Sequence, residues 1–319
     1  MRVLVLTSPV DTAGRPDTAD TFQQADEIAC CLRALGHDTI TLAYGAVPGF
    51  FGPFDEFDPH LVFNLVEDLP EGPDQLHSVT RLLDRRNIAF TGATTEPLRI
   101  LGNKLEMKAR LRAAGLPVPG ALGDTGVGRW IVKSAREHAS LGLTSENVVT
   151  DAGAAFLLIA TRAASYGGEW FAEEYIEGRE FNVALLDGEV LPIAEILFTR
   201  HAAGVPRIVG YAEKWETASE AYLSTPRVFP PEEQPLFSDL RRLARAAWEL
   251  FALSGYARVD FRVDRAGRPY ILEINANPCL AADAGFCAAA ARLGLSQTDV
   301  VARLLQSALQ RQETLPPRA

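Results

Sequence analysis

The stretch Ala257 to Asn275 reads ARVDFRVDRAGRPYILEIN, and its alternation sets the expectations for the C-terminal part of this chain. Two segments of period-two hydrophobicity flank the turn-prone Asp264-Arg265-Ala266-Gly267, which is the pattern of a β-hairpin. Val259, Phe261 and Val263 share one face of the first strand, and Tyr270, Leu272 and Ile274 supply the apolar face of the second. Matching those faces pairs Val259 with Ile274, Phe261 with Leu272 and Val263 with Tyr270. Asp260 then lies opposite Glu273, and Arg258 opposite Asn275, on the polar face. Opposed carboxylates repel, and an amide oxygen beside them adds a third oxygen donor. Magnesium is held by one or two carboxylates plus phosphate oxygens, so Asp260, Glu273 and Asn275 are the candidate metal ligands, with manganese as the alternative ion. The competing reading is a solvated polar face on which Arg258 and Arg262 neutralise the acids.

Upstream, residues 2 to 7 (RVLVLT) form a short β-branched run. A capping box at Asp20-Thr21-Phe22-Gln23 then predicts a helix with Phe22, Ala25, Ile28, Leu32 and Leu35 on one face, stopped at Gly36. Further strands are expected at 38 to 43 and 60 to 66, and a helix at 73 to 86. Gly102 to Ala114 predicts another helix, followed by short strands around 129 to 133 and 147 to 150. Strands at 181 to 186 and 190 to 198 and a helix near 234 to 254 precede the hairpin, and residues 310 to 319 read as a fraying end. The expected fold class is α/β in three lobes: an open α/β lobe over 1–95, a small central lobe over 96–176 and a C-terminal lobe over 177–319.

The chain has 319 residues, 47% hydrophobic and 23% charged, ordinary values for a globular protein with a substantial core. A net charge of -10 gives no footprint for nucleic acid, although a local basic cleft survives such an average. The opening apolar run is too short for a secretory or membrane-spanning segment, and the four cysteines lack metal-ligand spacing. The expectation is a cytoplasmic protein with reduced thiols, Cys30 and Cys31 acting as small fillers, and no membrane or nucleic-acid partner. His77 and His201 have no partners at telling spacing and read as structural or exposed.

Six strings occur in order along the chain: Asn103-Lys104, Ile131-Val132-Lys133, Arg136 to Gly142, Glu173 to Glu180, Lys214 and the hairpin. In this order they resemble the D-alanine–D-alanine ligase branch of the ATP-grasp superfamily over roughly residues 60 to 300. The resemblance implies an ATP-grasp fold with ATP between the central and C-terminal lobes. It also implies that Lys104, Lys133 and Lys214 face the ATP phosphates, that Glu173, Glu174 and Ile176 receive the adenine, and that Glu180 holds the ribose. The loop Glu137 to Gly142 becomes a lid using Ser140, and Arg258 sits by the oxyanion formed when an amine displaces phosphate from an acyl phosphate. Ser140, Lys214 and Arg258 are then the catalytic candidates. The partners implied are a small carboxylate and an amine, and a homodimer follows by analogy with the related ligases.

The sequence departs from that family where substrates are recognised. Ala139 and Ala284 replace two serines, Trp215 replaces a tyrosine and Cys279 replaces a glycine. The expected substrates are therefore not two D-alanines, with Glu67, Trp215 and Cys279 as substrate-facing candidates. An intramolecular cyclising ligase and a catalytically silent nucleotide-binding regulator share the same motifs. A nicotinamide-dependent oxidoreductase is excluded, because no Gly-x-Gly-x-x-Gly follows the first strand.

Overall fold

The computed structural model describes residues 1–9, 16–45, 50–69, 72, 75–123, 128–136, 140, 142–200, 204–232 and 234–314. The chain begins with β1 (Arg2–Thr7), α1 (Pro16–Ala34), β2 (Asp38–Ala43), α2 (Phe51–Phe57), β3 (Leu61–Leu65), α3 (His77–Arg85) and β4 (Ala89–Phe90). These strands form a parallel sheet of order β2-β1-β3-β4. Both faces of its inner strands are buried, which is why β1 and β3 read as nearly continuous apolar runs. Val3, Val5 and Phe63 pack among Ala25, Ile28 and Leu32 of α1, while Leu4, Leu6 and Val62 pack among Phe54, Val79 and Leu83.

α1 starts at Pro16, so the expected capping box at Asp20 lies inside the helix, and Phe22, assigned to its apolar face, is exposed. A proline at the first helical position is a start signal that the capping reading overlooked. Of the two adjacent cysteines, Cys31 is buried and Cys30 is exposed.

Next come α4 (Thr95–Leu101), α5 (Lys104–Ala113), β5 (Trp130–Ser134), β6 (Val148–Val149), α6 (Ala152–Tyr166) and β7 (Trp170–Glu174). Asn103 caps α5 by accepting from the amides of Leu105 and Glu106. The three strands make a small antiparallel sheet of order β6-β5-β7. Trp130, Val132 and Ala172 bury one of its faces against α6, leaving Ile131, Lys133 and Glu173 on the other. Ile100, Leu101, Met107 and Leu111 of α4 and α5 belong to the same core as the C-terminal sheet, although they precede the small sheet in the chain.

The remainder contains β8 (Gly178–Leu186), β9 (Glu189–Val190), β10 (Ala194–Ile196), α7 (Tyr211–Trp215), α8 (Glu220–Leu223), β11 (Arg227–Val228), α9 (Pro235–Leu250), β12 (Tyr256–Asp264), β13 (Pro269–Asn275), α10 (Gly285–Ala291) and α11 (Gln297–Thr314). Its sheet runs β11-β10-β8-β12-β13, with β9 on β8. Residues 310 to 314, expected to fray, continue α11, which buries Val300, Val301, Leu304 and Leu305 in the core it shares with the N-terminal sheet.

The hairpin register holds where it matters and fails beyond. Arg258 pairs with Asn275, Val259 with Ile274 and Asp260 with Glu273, as expected. A bulge follows, so Phe261 pairs with Ile271, Arg262 with Tyr270 and Val263 with Pro269, in place of the expected Leu272 and Tyr270 pairings. Leu272 is the extra residue, and Ile271 takes the buried position assigned to it.

Candidate active site

The polar face of the C-terminal sheet forms the floor of a cleft of about 1310 Å³. Alternation along β8 and β12 brings Glu180, Asn182, Arg258, Asp260 and Arg262 to one face, because Asn182 pairs with Asp260 and Glu180 with Arg262. The same face carries Ala184, Leu186 and Tyr256 at its other end, in the core beneath α10 and α11. One sheet face thus changes from core to cleft within four residues.

Arg258 grips Asp260 with two hydrogen bonds, Nε to Oδ1 at 2.7 Å and Nη2 to Oδ2 at 2.9 Å. Asn182 donates to Asp260 Oδ1 at 2.8 Å, a contact that sequence reading missed because its partner strand lies 78 residues away. Glu273 meets Lys104 Nζ at 3.2 Å. Asn275 Oδ1 accepts the amide of Asn277 at 2.9 Å, which turns the chain off the hairpin. No cluster of three His, Cys, Asp or Glu exists among the described residues. The donor set of Asp260, Glu273 and Asn275 is nevertheless all oxygen, and it fits a hard cation that takes few protein ligands and keeps phosphate or water oxygens.

The lysines enclose this floor. Lys133 donates to Glu173 Oε1 at 2.8 Å, and Lys108 Nζ lies 2.8 Å from Glu173 Oε2. Each oxygen of Glu173 therefore faces an ammonium, Oε1 through a hydrogen bond and Oε2 through an ion pair outside hydrogen-bond geometry, and burial, which alone would raise its pKa, is outweighed by the two ammoniums that lower it. Lys108 was not anticipated: in KLEMKARLRA it looks like one more helix-surface charge. Lys214 on α7 has no carboxylate within ion-pair distance among the described residues; loss of water lowers its pKa, with Glu273 opposing. Glu180 pairs with Arg262 at 2.7 Å. Six cations, Lys104, Lys108, Lys133, Lys214, Arg258 and Arg262, thus surround four carboxylates, Asp260, Glu173, Glu180 and Glu273.

Glu174, Ile176 and Ser140 line the same cleft. Ser140 has a φ of +64° and donates to the carbonyl of Val209 at 3.4 Å. Gly142 stands behind the wall: its φ is +70°, and a Cβ there would meet the rings of Tyr166 and Trp170 at 3.2 to 3.3 Å, so backbone geometry accounts for this glycine. Glu137 and Ala139 lie outside the described residues, as does His201.

Comparison with known proteins agrees with this geometry. Residues 129–306, more than half of the chain, match the family model described as D-ala D-ala ligase C-terminus. A D-alanine–D-alanine ligase of Halorhodospira halophila is 32% identical over 241 residues, 73% of this chain and 75% of that one. The chain belongs to the D-alanine–D-alanine ligase family. An uncharacterized protein of Sinorhizobium fredii, y4sG, is 30% identical over 307 residues, 90% of this chain and 88% of that one. The fold is that of the Bacillus anthracis D-alanine–D-alanine ligase complexed with ATP, with a TM-score of 0.76 at 19% identity, covering 98% of this chain and 99% of that one. The ATP-grasp architecture is thus shared with that family.

The residues expected to face the substrates also belong to this cleft. Glu67, Trp215 and Cys279 all line it. Glu67 accepts from Gln24 at 3.1 Å, and Gln24 in turn accepts the amide of Leu280, tying the N-terminal lobe to the loop after the hairpin. Asn277 closes the same junction by donating to the carbonyl of Val66 at 3.0 Å. Cys279 is absent from the residues of positive φ, so the backbone at this position does not require glycine. Ala284 lines the cleft, with Arg227 beside it. Arg227 donates to the carbonyl of Asp283 at 2.8 Å and has no carboxylate within ion-pair distance among the described residues. The residue is exposed, yet partial loss of water at the guanidinium lowers its pKa; Tyr222 and Asp283 oppose that shift and the charge of Arg258 adds to it. Gly285 makes room for it, since a Cβ there would lie 3.0 Å from Arg227 Nη1. No helix among the described residues is long and apolar enough to cross a membrane.

Proposed function

We propose that this family member joins a carboxylic acid to an amine at the expense of ATP, forming ADP, through an acyl phosphate. One observation carries the reading: Lys104 meets Glu273 at 3.2 Å, bringing a cation expected at phosphate against a carboxylate expected at magnesium. A carboxylate oxygen of the acid attacks the γ-phosphorus, the bond to the β-phosphate oxygen breaks, and ADP leaves. Lys104, Lys133 and Lys214 hold the phosphate oxygens as charge moves across them. Asp260, Glu273 and Asn275 would hold magnesium, which supplies Lewis-acid neutralisation of the phosphates when bound. The amine nitrogen next attacks the carbonyl carbon, Arg258 donates to the resulting oxyanion, and phosphate departs as the nitrogen loses its proton to solvent.

The substrates are not two D-alanines in this reading. Glu67 attracts an ammonium at the N-terminal side of the cleft, and Trp215 and Cys279 shape the acceptor compartment. Arg227, a cation with no carboxylate within ion-pair distance among the described residues, favours an acceptor that carries a carboxylate of its own.

ADP release measured over a library of small carboxylic and amino acids, with hydroxylamine present to capture acyl phosphate, tests the proposal. An acid-dependent hydroxamate formed in step with ADP is expected. ATP bound without turnover on any acid would leave a nucleotide-binding regulator, and D-alanyl-D-alanine as the fastest product would remove the substrate assignment.

A further inference from the structure

Lys108 is the most completely buried cation among the described residues, 1% exposed, and it does not line the cleft. It sits on α5 one turn after Lys104. Its ammonium touches both sides of the site: Glu173 Oε2 of the small sheet at 2.8 Å and the carbonyl of Leu272 at 2.9 Å. Leu272 is the residue that the bulge inserts into β13, and it directly precedes Glu273. Further contacts fix α5 and the loop after it in this place. The Lys104 amide donates to the carbonyl of Ala135 at 2.8 Å, and the carbonyl of Pro117 accepts from Ile271 at 2.8 Å.

The charges have a consequence for Lys133. Glu173 offers one negative charge, and two lysines share it. With Lys108 present, the group Lys108–Glu173–Lys133 carries one net positive charge, which the cleft receives from Lys133. Without Lys108, Lys133 and Glu173 would form a closed neutral pair, and the cleft would lose that charge.

We propose that Lys108 is a positioning residue for nucleotide phosphate: by satisfying Glu173 and the Leu272 carbonyl, it leaves the charge of Lys133 to the ligand and fixes the segment leading to Glu273. This rests on the reading that the cleft binds ATP.

The test is calorimetric binding of ATP and of adenosine, without divalent metal, to the wild-type chain, Lys108→Met and the double variant Lys108→Met/Glu173→Gln. The ratio of the adenosine Kd to the ATP Kd isolates the phosphate contribution from damage to the adenine pocket. Lys108→Met is expected to lower that ratio at least about tenfold. The double variant, in which a neutral amide at position 173 no longer cancels the charge of Lys133, is expected to recover it to within about threefold of wild type. A ratio unchanged in Lys108→Met, or a double variant as impaired as the single, would overturn the inference. If Lys108→Met does not fold, the double variant decides alone: a wild-type ratio upholds the role and a tenfold loss removes it. Wild-type protein that binds neither ligand would instead overturn the ATP reading beneath it.

Discussion

The two ends of the cleft are built differently. At the phosphate end, Lys104 meets Glu273, Lys133 and Lys108 share Glu173, Arg258 grips Asp260 and Arg262 pairs with Glu180, so nearly every charge is held by a charge. At the acceptor end, Arg227 hydrogen-bonds a backbone carbonyl, with Tyr222 and the Asp283 carboxylate acting on it beyond ion-pair distance, Cys279 and Ala284 offer little polarity, and Glu67 accepts from the neutral Gln24. A preorganised ionic lattice suits a reactant that never changes, because its dipoles need no rearrangement when charge moves. A sparsely polar wall suits a part of the site that sets substrate choice, where single side chains decide.

Breaking the phosphate end should cost most. Glu273→Gln removes a proposed metal oxygen and the partner of Lys104, and we expect ADP release to fall by ~100-fold or more, with added magnesium unable to restore it. An unchanged rate would remove Glu273 from the metal set. Truncation at the acceptor end should be selective. Arg227→Ala is expected to raise the KM for a carboxylate-bearing amine by ~30-fold, about 2 kcal/mol, while hydroxamate formation stays the same. Loss of both activities together would place Arg227 in the phosphate chemistry and collapse the contrast.

Asn182→Leu sharpens the comparison from beneath. It deletes the 2.8 Å hydrogen bond to Asp260 on the cleft floor, and should raise the magnesium concentration for half-maximal rate about tenfold. A drop in thermal stability alone, with the magnesium curve unmoved, would make Asn182 purely structural.

The smallest effect expected is one of pH. Burial pulls Lys108 down to about 8 from the 10.5 of a free lysine, with Glu173 opposing that shift. Between those values the unfolded chain holds more protons than the folded one, so this group makes stability increase as pH rises from about 8 to 10.5. The buried charge costs most below pH 8. The melting temperature of wild type relative to Lys108→Met should therefore climb as pH rises across that window; parallel curves would contradict the depressed pKa.

What the sequence discloses follows the same division. The four polar residues of the hairpin were legible because strict alternation fixes register near Asp260. The bulge was not, since Leu272 fits an apolar pattern as well as Ile271 does and nothing local marks the extra residue. Lys108 and Asn182 were missed because their partners, Leu272 and Asp260, lie 164 and 78 residues away. Gly142 is also required by its φ of +70° and by the rings of Tyr166 and Trp170, which nothing local in the sequence marks. Long-range ion pairs and ring contacts leave no periodic trace in a single chain.

Carboxylate activation is the central claim, and oxygen labelling tests it most directly. An acid that supports turnover is supplied with both carboxylate oxygens as ¹⁸O, and the phosphate released during amide formation is analysed by mass. Passage through an acyl phosphate transfers one ¹⁸O per turnover into inorganic phosphate, and the account predicts that outcome. Unlabelled phosphate, released at the same rate, would contradict it.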